Sequence, residues 1–169
     1  MLCMYIYLYH VNADTKTVKQ ITINKNNFKQ LRDILKDKVE DTILYFEDEY
    51  YNMKYLGHDV VDFYLKSNIS FIGRKEGTIF DFRNSRDGAL RIQFYNKGYD
   101  FTIENIIIEN FKSDSGVFAL QYLIYTVDFS VKIKNCTFRN NPFPLIAVVH
   151  SSPIKLEGED IISIENCNF

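Results

Sequence analysis

The sequence predicts an all-β solenoid: a parallel β-helix with three strands per turn and a short helix over its N-terminal end. Three observations predict it. First, one phrase, apolar-x-Ile-x-Asn-Cys-x-Phe, is written twice, as Val131-Lys132-Ile133-Lys134-Asn135-Cys136-Thr137-Phe138 and as Ile162-Ser163-Ile164-Glu165-Asn166-Cys167-Asn168-Phe169. Weaker copies stand upstream, as Phe101-Thr102-Ile103-Glu104-Asn105-Ile106-Ile107-Ile108 and Ile69-Ser70-Phe71-Ile72-Gly73. Second, the residues that close the first half of each copy are Gly73, Asn105, Asn135 and Asn166, so by subtraction the spacings are 32, 30 and 31. A fixed period of this size marks stacked repeats. Within each copy apolar and polar residues alternate, which is strand periodicity. Third, each period holds another apolar run, at residues 89–94, 117–123 and 145–149, whose starts are 28 apart each time. One period therefore supplies three strands.

Taken in order, the chain begins with an apolar, Tyr-rich segment. Residues 1–13 read as a signal peptide, because Val11-x-Ala13 resembles a signal-peptidase site. No Lys or Arg precedes the apolar run, and a first β-strand is the alternative. The segment is too short to span a bilayer as a helix. Residues 14–169 then form one β-helix domain, with an N-terminal cap over 14–66 and repeating turns over 67–169. Residues 18–23 read as a strand. Asn26-Asn27 are placed to cap a helix, on which Phe28, Leu31, Ile34 and Leu35 share one face. That helix is expected to cover the open end of the solenoid, since terminal repeats need a cap. Residues 41–46 read as a strand. The acidic run Glu47-Asp48-Glu49 is a solvated turn or a calcium ligand set. Residues 53–66 read as a long connection, in which His58, Asp59 and Asp62 could make a polar site.

In the repeats, strand–corner–strand geometry needs a residue that enters the left-handed region cheaply, and Gly and Asn do so. The inward columns are then Ile69, Phe101, Val131, Ile162 and Phe71, Ile103, Ile133, Ile164. Past the corner they are Ile106, Cys136, Cys167 and Ile108, Phe138, Phe169. The outward column Glu104, Lys134, Glu165 alternates in charge, as in-register neighbours should. Cys136 and Cys167 share a column one turn apart, which gives a buried cysteine stack or, with poorer angles, a disulfide. Asn68-Ile69-Ser70 and Asn135-Cys136-Thr137 are glycosylation sequons. Asn68 is the candidate acceptor, because the corner residue Asn135 is expected to be inaccessible. The chain stops at Phe169 in the middle of a repeat, so a truncated solenoid is expected, with end-to-end association through the uncapped C-terminal turn.

This wording resembles the right-handed parallel β-helix superfamily of pectate lyases, polygalacturonases and phage tailspikes. The phrase Asn-Cys-x-Phe-x-x-Asn (Asn135, Cys136, Phe138, Asn141) is similar to repeats of large secreted or surface proteins. The resemblance covers residue 17 to the end. It implies a right-handed coil with a structural asparagine ladder, the amides of Asn105, Asn135 and Asn166 stacking on one another. It also implies where an active site would lie. Pectate lyases carry Asp calcium ligands and a basic Arg on the sheet that corresponds to the runs starting at Ala89, Val117 and Leu145. Polygalacturonases carry Asn-Thr-Asp, Asp-Asp, Gly-His-Gly and Arg-Ile-Lys motifs, and this sequence has none of them. Arg91-Ile92-Gln93 lacks the Lys, and Gly57-His58-Asp59 lacks the second Gly.

Composition narrows the function further. Net charge is −2 and the basic residues are scattered, so no nucleic-acid stripe is present. Cysteine spacing offers no metal site. The expectation is a secreted or cell-surface β-helix repeat module: a structural, adhesion or glycan- or protein-binding scaffold without catalysis or cofactor of its own. The 12 tyrosines fit a polysaccharide or another protein as partner. The alternative is a pectate-lyase-like polysaccharide lyase or hydrolase, or a fragment whose active site lies in missing C-terminal turns. Its catalytic candidates are Arg91, His58 and Asp59, and calcium is its cofactor under that alternative alone.

Overall fold

The computed structural model describes residues 17–36, 38–113, 115–126, 128–150 and 161–169. The expected signal peptide and Cys3 lie outside them. The described chain forms three all-parallel sheets. The first holds β1 (Lys19–Ile23), β2 (Thr42–Phe46), β5 (Ile69–Ile72), β8 (Tyr99–Glu104), β11 (Phe129–Lys134) and β14 (Ile161–Glu165). The second holds β3 (Tyr50–Asn52), β6 (Thr78–Ser85), β9 (Ile106–Phe111) and β12 (Thr137–Arg139). The third holds β4 (Val60–Tyr64), β7 (Ala89–Phe94), β10 (Leu120–Ile124) and β13 (Ile146–His150). The backbone visits the first, second and third sheets in turn, then starts again one layer along. This is a β-solenoid of about four coils, with an additional strand of the first sheet at each end.

The first sheet keeps the register that the repeat implies. Val131 pairs with Phe101 and Ile162, and Ile133 with Ile103 and Ile164. Ile69, Phe71, Phe101, Ile103, Val131 and Ile133 are all buried. In the last coil Ile162 and Ile164 are 47% and 48% exposed. The outward column runs through Glu104, Lys134 and Glu165, and the Lys134 ammonium lies 3.4 Å from the Glu165 carboxylate. Rings also pack from layer to layer: Phe46 tilted against Phe71 at 5.4 Å, and Phe71 edge-to-face with Phe101 at 5.2 Å. Each such side chain contributes roughly 1.5–3 kcal/mol by leaving water. The columns thus add to the backbone ladders in holding coil to coil.

The corners are closed by backbone. Asn105, Asn135 and Asn166 have φ of 57°, 51° and 53°, in the left-handed region. The N–H of Asn105 donates to Lys134 O and that of Asn135 to Glu165 O, so each corner carries the ladder on. Gly73 differs from the corner expected of it, because it does not have positive φ. A Cβ there would strike the carbonyl oxygen of Asn105, so glycine is required by close approach of the next coil. Two further left-handed columns lie elsewhere in the coil. One contains Asn110 and Asn140, the other Gly98 and Asp128, and the Gly98 N–H donates to Asp128 O.

The third sheet corrects the register read from run starts. Leu120 pairs with Leu90 and with Ile146, so the true steps are 30 and 26 residues rather than 28 and 28. A slip of two keeps each side chain on the same face of the strand. The connection expected over residues 53–66 is also more ordered than its sequence suggests. It contains a 3-10 turn, Met53–Leu56, and strand β4. With β2 and β3 it makes a full coil whose first-sheet step, Leu44 to Phe71, is 27 residues.

The N-terminal cap is a 3-10 turn, Phe28–Gln30, running into α1 (Leu31–Leu35). Phe28, Leu31 and Leu35 are buried in the core cluster and Ile34 packs against it. Asn26 and Asn27 do not cap it as expected. The Asn27 amide instead reaches back, its Nδ2 donating to Thr22 O and its Oδ1 accepting from Asn24 N. It ties the turn that leads in rather than the first turn of the helix.

Candidate functional site

Alternation along the third sheet sends every second side chain outward. Leu90, Ile92 and Phe94 face the core, so Arg91, Gln93 and then Tyr95 lie on the outer face, where Arg91 is partly exposed and Tyr95 exposed while Gln93 is nonetheless buried. The register places Asp62, Arg91 and Gln121 side by side across three coils. Arg91 Nε donates to Gln121 Oε1 at 2.8 Å, and its guanidinium lies 3.4 Å from the Asp62 carboxylate. Gln93 Nε2 donates to the same Asp62 oxygen at 2.8 Å, and the Tyr95 hydroxyl donates to Gln93 Oε1 at 3.1 Å. This is a hydrogen-bonded network in which each member already has a partner.

Beside it stands a row of stacked rings. Tyr95 and Tyr125 lie 4.6 Å apart with planes 7° from parallel, and Tyr64 and Tyr95 lie 5.9 Å apart at 22°. Tyr64, Tyr95 and Tyr125 are 57%, 51% and 40% exposed. Large aromatics with half their surface in water, held in line across three coils, are the feature of this face that folding alone does not require. The row continues into a groove of about 400 Å³ against α1, whose walls include Arg32, Lys36, Asp62, Tyr64 and Lys66. The three tyrosines were missed in the sequence, although their spacings, 31 and 30 by subtraction, are those of the repeat.

The other predicted residues scatter. Asp59 pairs with Arg86 at 2.7 Å, while Asp62 belongs to the network above. His58 contributes its carbonyl, which accepts from Gly88 N. His58, Asp59 and Asp62 therefore serve three different neighbours. In the acidic turn, Asp48 accepts from the Lys25 N–H and Glu49 faces Arg74 at 3.6 Å. Among the described residues no group of three or more His, Cys, Asp or Glu side chains is placed to hold a metal ion.

At the sequons the accessibilities reverse. Asn135 is exposed, not inaccessible, because a left-handed corner turns its side chain outward; its amide donates to Glu104 at 3.4 Å. Asn166 is exposed and Asn105 partly so. Asn68 is clamped between coils: its Nδ2 donates to Asp41 and its Oδ1 accepts from Asp100 N. Cys136 is a buried free thiol and Cys167 a half-buried one. Burial pushes the Cys136 thiol up to about 12, which keeps it protonated and unreactive. Asn141 is structural as well, its amide bonding Ile108 O and Phe111 N of the preceding coil.

Comparison with protein-family models, with curated proteins and with solved structures gave no match. Among the described residues no helix is long and apolar enough to cross a membrane.

Proposed function

We propose that this chain is a scaffold module, secreted or displayed at a cell surface, which binds a polysaccharide along the outer face of its third sheet without transforming it. The observation that carries the reading is the exposed row Tyr64, Tyr95 and Tyr125 beside the Asp62, Arg91 and Gln121 network. Aromatic rings supply contact area for sugar rings, and their hydroxyls supply polar contacts. Stacking holds the rings in place beforehand, so little side-chain freedom is lost on binding. Of the network, the partly exposed Arg91 and Asp62 side chains are the groups that sugar hydroxyls can reach.

Catalysis is disfavoured by the same face. Hydrolysis of a glycosidic bond uses two carboxyl groups flanking it. Asp62 is the one carboxylate of the network, and it is shared by Arg91 and Gln93. Under the lyase alternative Arg91 would be the base, with calcium neutralising a uronate, yet Arg91 is engaged on both sides.

The test is binding to a glycan array by the wild-type chain and by Tyr95→Ala/Tyr125→Ala. Positive glycans are then titrated in solution by tyrosine emission, which the 12 Tyr and absence of Trp make usable. Binding should fall at least about tenfold in the double variant, the loss expected when stacked rings are removed. Equal binding by both proteins would remove the tyrosine row from the function. Turnover of polygalacturonate that Arg91→Ala abolishes would establish the lyase instead.

A further inference from the structure

A second pocket lies on the second sheet, away from the tyrosine row. Its volume is about 570 Å³, within the range of small-molecule sites. It forms where the N-terminal cap meets β3, the edge strand of that sheet. Lys25 and Lys29 come from the cap, Tyr50 from β3, Tyr55 from the 3-10 turn that follows, and Arg83 from β6. The lining contains these three cations, four aromatic rings and Asn52, and no carboxylate.

Arg83 is held there by an unusual backbone. Arg83 and Asn84 are consecutive left-handed residues, with φ of 53° and 55°, at a bulge in the β6–β9 pairing. A residue with a Cβ enters this region at a cost, and such states concentrate where a side chain must be aimed. The conformation is fixed from below by Asp81. Its Oδ1 accepts from the Arg83 N–H at 2.8 Å and from Asn110 Nδ2 at 2.9 Å, and its Oδ2 accepts from the Tyr50 hydroxyl at 2.7 Å. The Arg83 side chain remains 60% exposed, its guanidinium 3.6 Å from Asp81. Lys29 sits over the Tyr55 ring at 5.1 Å, and that ring is 59% exposed.

Of three cations, one shares its charge with Asp81 and two have no carboxylate in the lining, although the Asp48 carboxylate accepts the backbone N–H of Lys25 from outside it. A ligand that balances them carries about two negative charges, as a phosphate monoester does near pH 7 and a sulfate ester or a carboxylate does not. Arg83 supplies the planar fork that phosphate oxygens fit. Tyr55 supplies a surface for a ring. We propose that this pocket binds a phosphate monoester carried on a small ring compound. The site is independent of the glycan reading, since it shares no residue with the tyrosine row.

The experiment is calorimetric titration of the full chain at pH 7.5 with glucose 6-phosphate, glucose 6-sulfate and glucose. Glucose 6-phosphate should bind, and glucose should not. The sulfate should bind at least about five-fold more weakly, the factor one extra charge at about 4 Å is worth even in bulk water. Lys25→Gln/Lys29→Gln should weaken the phosphate ester at least about tenfold with an unchanged Tm, since both side chains are on the surface. Tyr95→Ala should leave that affinity unchanged. No binding of the phosphate ester, equal affinity for the sulfate, or full affinity in the lysine variant would each overturn the proposal.

Discussion

Tyr122 puts a phenol in the middle of an apolar core. The residue is fully buried, and its hydroxyl has no hydrogen-bond partner among the described residues. Burial drives its pKa far above that of an ordinary phenol. A buried unpaired hydroxyl costs about 1–3 kcal/mol. Tyr122→Phe removes the oxygen and keeps the ring, so it should raise Tm by about 2–4 °C per kcal/mol recovered; a lower Tm in calorimetry would show that the hydroxyl is satisfied. Asp81 is the opposite case. Burial alone would raise its pKa, but hydrogen bonds from Tyr50, Asn110 and the Arg83 N–H, with the Arg83 charge, outweigh burial and hold it below the usual carboxylate range. A depressed folded-state pKa contributes stability that is present above the unfolded value, near pH 3.9, and is lost as pH falls through the folded one. Wild-type Tm should therefore drop between pH 5 and pH 2 more steeply than that of Asp81→Asn. Parallel curves would mean that this carboxylate does not set the acid limb.

At the scale of the strand, the face that each residue presents decides its worth. Ile133 is fully buried between Ile103 and Ile164. Lys132, its neighbour, points outward to Asp100 at 3.2 Å. Ile133→Asp places an unpaired charge in the column and should cost several kcal/mol. Lys132→Ala removes one surface ion pair and should cost under about 1 kcal/mol. Urea midpoints that move equally would reverse the faces. This alternation was readable beforehand, because a period of two survives any loop length. Corner identity was readable only in part. Asn105, Asn135 and Asn166 announce a left-handed backbone, whereas glycine at position 73 is required by the Asn105 carbonyl of the next coil, which no local pattern encodes. The helix forms where expected but is not capped by Asn26-Asn27 as read, because Asn27 Oδ1 accepts from the Asn24 N–H rather than from the first turn of the helix.

Across the whole molecule, the legible part was the region of regular period, and the illegible part was where loops change length. Coils with first-sheet steps of 30 to 32 residues announce themselves. The coil of β2, β3 and β4 steps by 27 and carries neither Asn corner nor Cys, and its part over residues 53–66 passed for a connection. The tyrosine row was hidden differently. Each Tyr ends or directly follows a strand and looks like an isolated surface aromatic until stacking brings three coils into line. His58, Asp59 and Asp62, adjacent in sequence, are drawn to separate partners by the same stacking. Both proposed sites therefore depend on coils lying in register, one above another. That claim is tested most directly by a distance along the outward column Ile43, Ser70, Thr102, Lys132 and Ser163. Four steps of about 4.8 Å put Ile43 and Ser163 about 19 Å apart. Nitroxide labels at Ile43→Cys and Ser163→Cys, with Cys3 and Cys167 replaced by Ser and the buried Cys136 retained, report it by pulsed electron resonance. One narrow population between about 15 and 28 Å, allowing for the label arms on a strand ladder, is the predicted result. A population beyond about 30 Å, more than six strand spacings, would contradict the stacked solenoid and both sites built on it.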